Sequence, residues 1–420
     1  METYSPFNWK LAFGIALFSF SNYITQPLYS AFVPLLLTQR LSTAAQVGAI
    51  LSACNFLAML IHPAVGALSD RTRCRFGRRR PYILSGAVSC GFFFLLIPWL
   101  EGMWSLLAVL VAYSLTVAYW RAPLSAIQVD CVPPEHIVQS NAVGSCMLAL
   151  ASVMAYLFSN RLVSGGADLR LVFAVGGGAA VAAALWGCSI VREEDSRQMA
   201  LTERQREPGG LAAALRGQDL PALAAILLAV ALAFMANSAF EYFFTLFSTE
   251  WMGLEAGRAP LYLAVYMGAY FLASLACSIL RSRRTPWRMV ALFLGASACV
   301  QILFFALCGS GPSMALAGAW LLCVVYGACW GMVNIYIYPL WLSFRREGRA
   351  GNLMGLYFVC TGLASTLAPV TYGLVRDGTG TYRSLFLFCG GVFFLACALL
   401  AWAGRRQERQ SPDAGRRQEV

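Results

Sequence analysis

The stretch Gly66-Ala67-Leu68-Ser69-Asp70-Arg71-Thr72-Arg73-Cys74-Arg75-Phe76-Gly77-Arg78-Arg79-Arg80-Pro81-Tyr82 decides how this chain is read. Arg71, Arg73, Arg75, Arg78, Arg79 and Arg80 crowd between two apolar runs, 45–68 and 81–100. Each run matches the roughly 20 residues that an α-helix needs to cross a bilayer. The stretch therefore reads as a short basic loop joining two membrane-spanning helices. Gly66 is expected to let the first of them approach a neighbour closely. Asp70 ends that helix where the chain enters water, and there it can pair with an arginine or accept from the amides of another helix's N-terminus. Gly77 permits a tight turn.

Composition agrees with lipid as the solvent. The 420 residues are 59% hydrophobic and 12% charged, against about 45–50% apolar and about 25% charged in soluble domains. That excludes a soluble enzyme, a nucleic-acid binder and a disordered chain. The net charge of +11 reads as membrane topology, since the arginines fall in short runs between apolar stretches. The 14 cysteines stand singly inside those stretches, where a free thiol behaves as a small apolar side chain. His62 and His136 have no metal-ligand spacing around them, so neither a metal nor any other cofactor is expected. The first apolar run, 11–37, is far longer than a signal-peptide core of about 7–15 residues.

Twelve spans are expected, near 10–37, 45–68, 81–100, 103–127, 138–160, 169–191, 220–249, 259–280, 288–308, 314–342, 352–375 and 384–403. Orientation follows from the basic residues. The even-numbered loops and the tail hold Arg71–Arg80, Arg192–Arg216, Arg281–Arg288, Arg345–Arg349 and Arg405–Arg417. The odd loops hold only Arg40, Arg161, Arg170, Arg258, Arg376 and Arg383. Both termini are therefore expected on the cytoplasmic side of the cell membrane. The charged stretch 192–219, with Pro208-Gly209-Gly210, reads as a linker between a six-helix half at 1–191 and a second at 220–404. A basic tail follows at 405–420. Three short matches recur between the halves: Arg71-Thr72-Arg73 with Arg281-Ser282-Arg283, Asn141-Ala142-Val143-Gly144 with Asn352-Leu353-Met354-Gly355, and Asn22/Gln26 with Asn237/Glu241. Two parallel six-helix repeats are one way transporters are built.

The loop resembles the signature G-x-x-x-D-R-x-x-x-x-x-G-R-R of major facilitator transporters. Its longer form, Ser69-Asp70-Arg71-Thr72-Arg73 with Gly77-Arg78-Arg79-Arg80-Pro81-Tyr82, resembles the sucrose-transporter and glycoside–pentoside–hexuronide:cation symporter branch. Arg121-Ala122-Pro123, Asp130, Pro133 and Ser140-Asn141-Ala142 resemble the passage from helix 4 to helix 5 in bacterial sucrose-transporter-like proteins. The resemblance implies an all-α major facilitator fold of twelve helices in two pseudo-symmetric halves. It also implies a gating latch at Asp70, Arg71 and Asp130 that closes the cytoplasmic side. The melibiose-permease branch carries an Asp-Pro where this chain has His62-Pro63, and a second Asp matching Ala58; those carboxylates form its cation site. Their absence here argues against sodium and leaves protons, with uniport still open.

Ionisable groups inside a span are costly and are functional candidates by default. Arg121 is expected in the central cavity. Glu241, well inside its span, forms an i, i+4 polar stripe with Asn237, and Asn22 with Gln26 forms the matching stripe. A carboxylate in a poorly hydrated cavity is favoured as the neutral acid, so Glu241 is expected to carry the transported proton, with Arg121 opposing that. His62 is either a second proton-handling group or a structural histidine. Asn55, Trp120, Trp330 and Asn334 complete the expected substrate site, since amides, carboxylates and flat rings suit sugar hydroxyls and C–H faces. Two functions remain open: a proton-coupled sugar or glycoside symporter, and a drug or metabolite exporter driven by proton antiport. No G-x-x-x-x-G-K-[ST] loop supports ATP-driven transport. The expected partners are a small polar substrate, a proton and membrane lipid; nucleic acid is not expected, and the chain is expected to act as a monomer.

Overall fold

In hydrocarbon every backbone N–H and C=O must be satisfied within its own segment, so long uncharged runs become helices. The computed structural model describes residues 7–72, 77, 79–132, 136–191, 219–279, 285–343 and 350–410. Among them are twelve α-helices and no strand. They are α1 (Trp9–Thr38), α2 (Ala44–Arg71), α3 (Arg80–Leu96), α4 (Met103–Cys131), α5 (Ile137–Ser164), α6 (Leu169–Ile190), α7 (Leu220–Glu250), α8 (Ala259–Ile279), α9 (Pro286–Cys308), α10 (Pro312–Ser343), α11 (Ala350–Thr379) and α12 (Ser384–Gln410). Ten of them, α1 and α11 aside, hold stretches long and apolar enough to cross a membrane.

The helices fall into two compact units. One comprises Met1–Arg40, Ala53–Arg206 and Glu255–Ala264; the other comprises Leu41–Ser52, Glu207–Leu254 and Val265–Val420. In the first, α1 packs on α5 and α6, and α3 packs on α4 and α6. In the second, α7 packs on α11 and α12, and α9 packs on α10 and α12. The pairing thus repeats six helices later.

Lipid tails are as apolar as leucine, so these contacts rest on close fit rather than on escape from water. Where α3 crosses α6, Gly91 and Gly177 face each other's carbonyls, leaving a new Cβ at either only about 3 Å from the opposing oxygen. Ile15, Phe18, Ile83, Trp120, Ile127 and Val191 fill the nearby core. Among the described residues Gly66 does not play the expected part: a Cβ there meets none of their atoms within 4 Å. Gly77 does turn the chain, with φ +102°. Arg79 is buried and donates to Ser69 Oγ, and Arg80 reaches the Cys188 carbonyl. These two arginines hold the loop's ends in place beyond any topogenic role.

In the second unit the first turn of α2 meets the last turns of α11. Asp377 Oδ1 accepts from Ala44 N–H at 2.9 Å, and Oδ2 accepts from Ala45 N–H at 2.8 Å. Thr43 Oγ1 takes the Gln46 N–H, and the Thr43 carbonyl takes that of Val47. All four amides that open the helix are therefore satisfied. A Cβ on Gly48 would run into the Pro369 carbonyl, and one on Gly373 into the Ala44 carbonyl. Arg376 lies 3.3 Å from Asp377 and 3.6 Å from Glu250, with its guanidinium over the Tyr382 ring.

Candidate functional site

The helix α7 runs uncharged for 21 residues from Leu220 before it reaches Glu241. One turn earlier stands Asn237, and the i, i+4 spacing becomes a bond of 2.9 Å from Asn237 Nδ2 to Glu241 Oε1. The other end of the same amide is also used. Tyr266 of α8 and Tyr326 of α10 each donate their hydroxyl to Asn237 Oδ1 at 2.7 Å. Both rings are fully buried and stack with centroids 5.2 Å apart. Phe240 closes the cluster, edge-on to Tyr326 at 4.8 Å. A buried hydroxyl needs an acceptor, and Asn237 supplies one to two tyrosines at once. Glu241 itself is half-buried, and its Oε2 takes no hydrogen bond among the described residues.

The sequence expectation is altered at Asn237. It was expected to face substrate, but it is 6% exposed and both ends of its amide are engaged. Its NH2 is held by Glu241 and its oxygen by the two tyrosine hydroxyls. Tyr266 and Tyr326 had no signal of their own, in a chain with 17 tyrosines. Nearby, Trp330 is 5% exposed and packs against Phe234 at 5.2 Å and Phe393 at 6.3 Å. Half-buried Asn334 is turned back to the Trp330 carbonyl at 2.9 Å.

In the first unit, Arg121 of α4 is exposed and its Nη2 lies 3.4 Å from Tyr23 Oη of α1. Gln26 and Asn55 are half-buried and Asn22 is buried. Trp120 departs from the expectation. It is 1% exposed, and Gly86 lies against its Cβ and ring. The smallest residue on α3 meets the largest on α4, so this indole packs into the core.

The expected latch lies mostly outside what is described. Asp70 and Arg71 close α2, and Asp130 lies one residue short of the end of α4. Their side chains, like that of His62, are outside the described residues. So is the linker up to residue 218. Its neighbour Asp219 accepts from Arg406 Nε at 2.7 Å, tying the start of α7 to the end of α12.

Twelve helices in two sets with a repeated pairing scheme, and a carboxylate fixed inside an apolar helix, define a multi-pass membrane protein of transporter architecture. Residues 11–369 match the family model for the Major Facilitator Superfamily, and the chain belongs to that family. No curated protein matches the sequence. Solved structures agree on the fold. A bacterial homolog to the human lysosomal transporter Spinster, inward-facing and unoccupied, is 16% identical over 94% of each chain, with a TM-score of 0.67. The nucleoside transporter NupG is 15% identical over 93% of this chain and 99% of its own, with a TM-score of 0.72. A D-xylose–proton symporter is 14% identical over 93% of this chain and 95% of its own, with a TM-score of 0.67. Family membership makes this chain a transporter of small molecules rather than an enzyme.

Proposed function

We propose that the chain is a secondary active transporter that moves a small polar solute of the sugar or glycoside class together with protons. The observation that carries this reading is Glu241: a carboxylate set deep in an apolar helix, held by one oxygen and with the other accepting no hydrogen bond among the described residues. Intramembrane carboxylates persist where they bind ions or substrates, because they cost too much otherwise. In this reading Glu241 takes the proton, and Arg121 is the cation that favours its release. Gln26, Asn55 and Asn334 supply hydroxyl-binding amides. The long form of the Asp70–Arg71 loop motif supports the sucrose-transporter and glycoside–pentoside–hexuronide branch. The latch of Asp70, Arg71 and Asp130, the halves 1–191 and 220–404, and cytoplasmic termini in the cell membrane belong to the same proposal.

The test is uptake of labelled sugars by vesicles under an imposed pH gradient. Glu241→Gln imitates the neutral acid and has no proton to release. It is expected to keep exchanging substrate across the membrane while losing accumulation against a gradient. Mutant vesicles that still concentrate substrate, with an unchanged pH dependence, would remove Glu241 from the coupling step.

A further inference from the structure

An asparagine amide has two unlike ends, and which end faces Glu241 decides which form of the acid is favoured. With Nδ2 toward Oε1, as here, the amide donates to a carboxylate and stabilises the charge. With Oδ1 there instead, an ionised Oε1 would face another acceptor, and only a protonated Oε1 would be stabilised. On α7 itself the choice depends on whether Glu241 is ionised, so α7 alone does not fix it. The two hydroxyls do: both lie 2.7 Å from the same Asn237 oxygen, both belong to fully buried rings, and each needs an acceptor. Turning the amide over would take that acceptor from both tyrosines together.

We infer that Tyr266 and Tyr326 are positioning residues for Glu241, locking the Asn237 amide with its NH2 on Oε1 so that a bound proton resides on Oε2. This rests on the reading of Glu241 as the proton-carrying group. It adds that the group can be protonated and deprotonated without breaking a bond. The neutral acid keeps Oε1 as a carbonyl oxygen accepting from Asn237, while Oε2 gains or loses the hydrogen. The carboxyl group therefore stays in place through both forms. Among the described residues, the titratable side chains that act on Tyr326 besides Glu241 are Tyr266 of α8, Cys329 of α10, and Cys389 of α12, whose thiol donates to the Ala236 carbonyl; with Tyr326 itself they make four. Their ordinary ranges leave all four neutral at pH 7. The orientation of the Asn237 amide is thus one local bias on Glu241.

Infrared spectroscopy of the purified protein in lipid tests this directly, through the C=O stretch of the protonated carboxyl as pH is varied. The band that disappears in Glu241→Gln belongs to Glu241. In the double variant Tyr266→Phe, Tyr326→Phe, which keeps both rings, the amide is free to turn. The midpoint of that band is expected to rise by about one pH unit, a tenfold gain in proton affinity. Each single variant leaves one hydroxyl in place and is expected to move the midpoint less, and these provide the reading if the double variant does not fold. A Glu241 band whose midpoint is the same in wild type, both single variants and the double variant overturns the inference, and so does a wild-type band that does not change with pH. Accumulation by Glu241→Gln vesicles is a separate result. It removes the transport role of Glu241 while the infrared titration still decides what the tyrosines do.

Discussion

Removing the Asp377 carboxylate takes away both acceptors that hold the first two amides of α2. Desolvation pushes this carboxyl up, but the amides of Ala45 and Ala44 and the Arg376 guanidinium outweigh it, and Asp377 stays below the ordinary carboxylate range. Replacing a helix-capping carboxylate by alanine costs about 0.5–2 kcal/mol. Here two amides are served in place of the usual one, at 2.9 and 2.8 Å, so Asp377→Ala is placed at the upper end, about 2 kcal/mol. Local opening of the first turn of α2 should then increase about 30-fold. Hydrogen–deuterium exchange of the peptide containing Ala44 and Ala45, in lipid and corrected for intrinsic rates, measures it. Asp377→Asn keeps one acceptor but turns an NH2 toward the other amide, and should fall between wild type and alanine. The carboxylate's contribution is fully present above the unfolded value of about 3.9 and is lost as pH falls through the lower folded value. The difference between wild type and Asp377→Ala should therefore be constant from pH 5 to pH 8 and vanish only in strong acid. Equal exchange of the two proteins at pH 7 would show that Thr43 caps the helix alone and would refute the reasoning.

Three further variants test other parts of the structure. Asp70→Asn is expected to slow transport while leaving substrate binding intact, measured as uptake rate against equilibrium binding; normal uptake removes the latch role. Gly48→Val forces a side chain into the Pro369 carbonyl and should raise exchange of the same α2 peptide, whereas Gly66→Ala meets no atom of the described residues and should alter neither exchange nor uptake.

The helices were legible because lipid imposes one requirement on every span, and composition alone reports it. The Asn237–Glu241 stripe was legible because a spacing of four is geometry within one helix. Asn237's other partners were not, because Tyr266 and Tyr326 come from α8 and α10, and sequence does not say which helices adjoin. The same limit explains Gly66 and Trp120. A glycine marks a close approach only if something approaches, and an indole in a span reads alike whether it faces a cavity or packs on Gly86. Asp377 escaped notice for the largest separation of all, since the amide it caps at Ala44 lies 333 residues away in sequence.

The crossing of α2 and α11 brings main chain against main chain at Gly48 and Gly373, with no long side chain interposed. Such a joint has few rotamers to freeze when it forms and few to release when it parts, so little side-chain entropy attends either event. Dispersion fades steeply with distance, and a gap of half an ångström or more already forfeits a quarter to a half of each contact. A main-chain contact of this kind therefore loses much of its attraction at the first small separation.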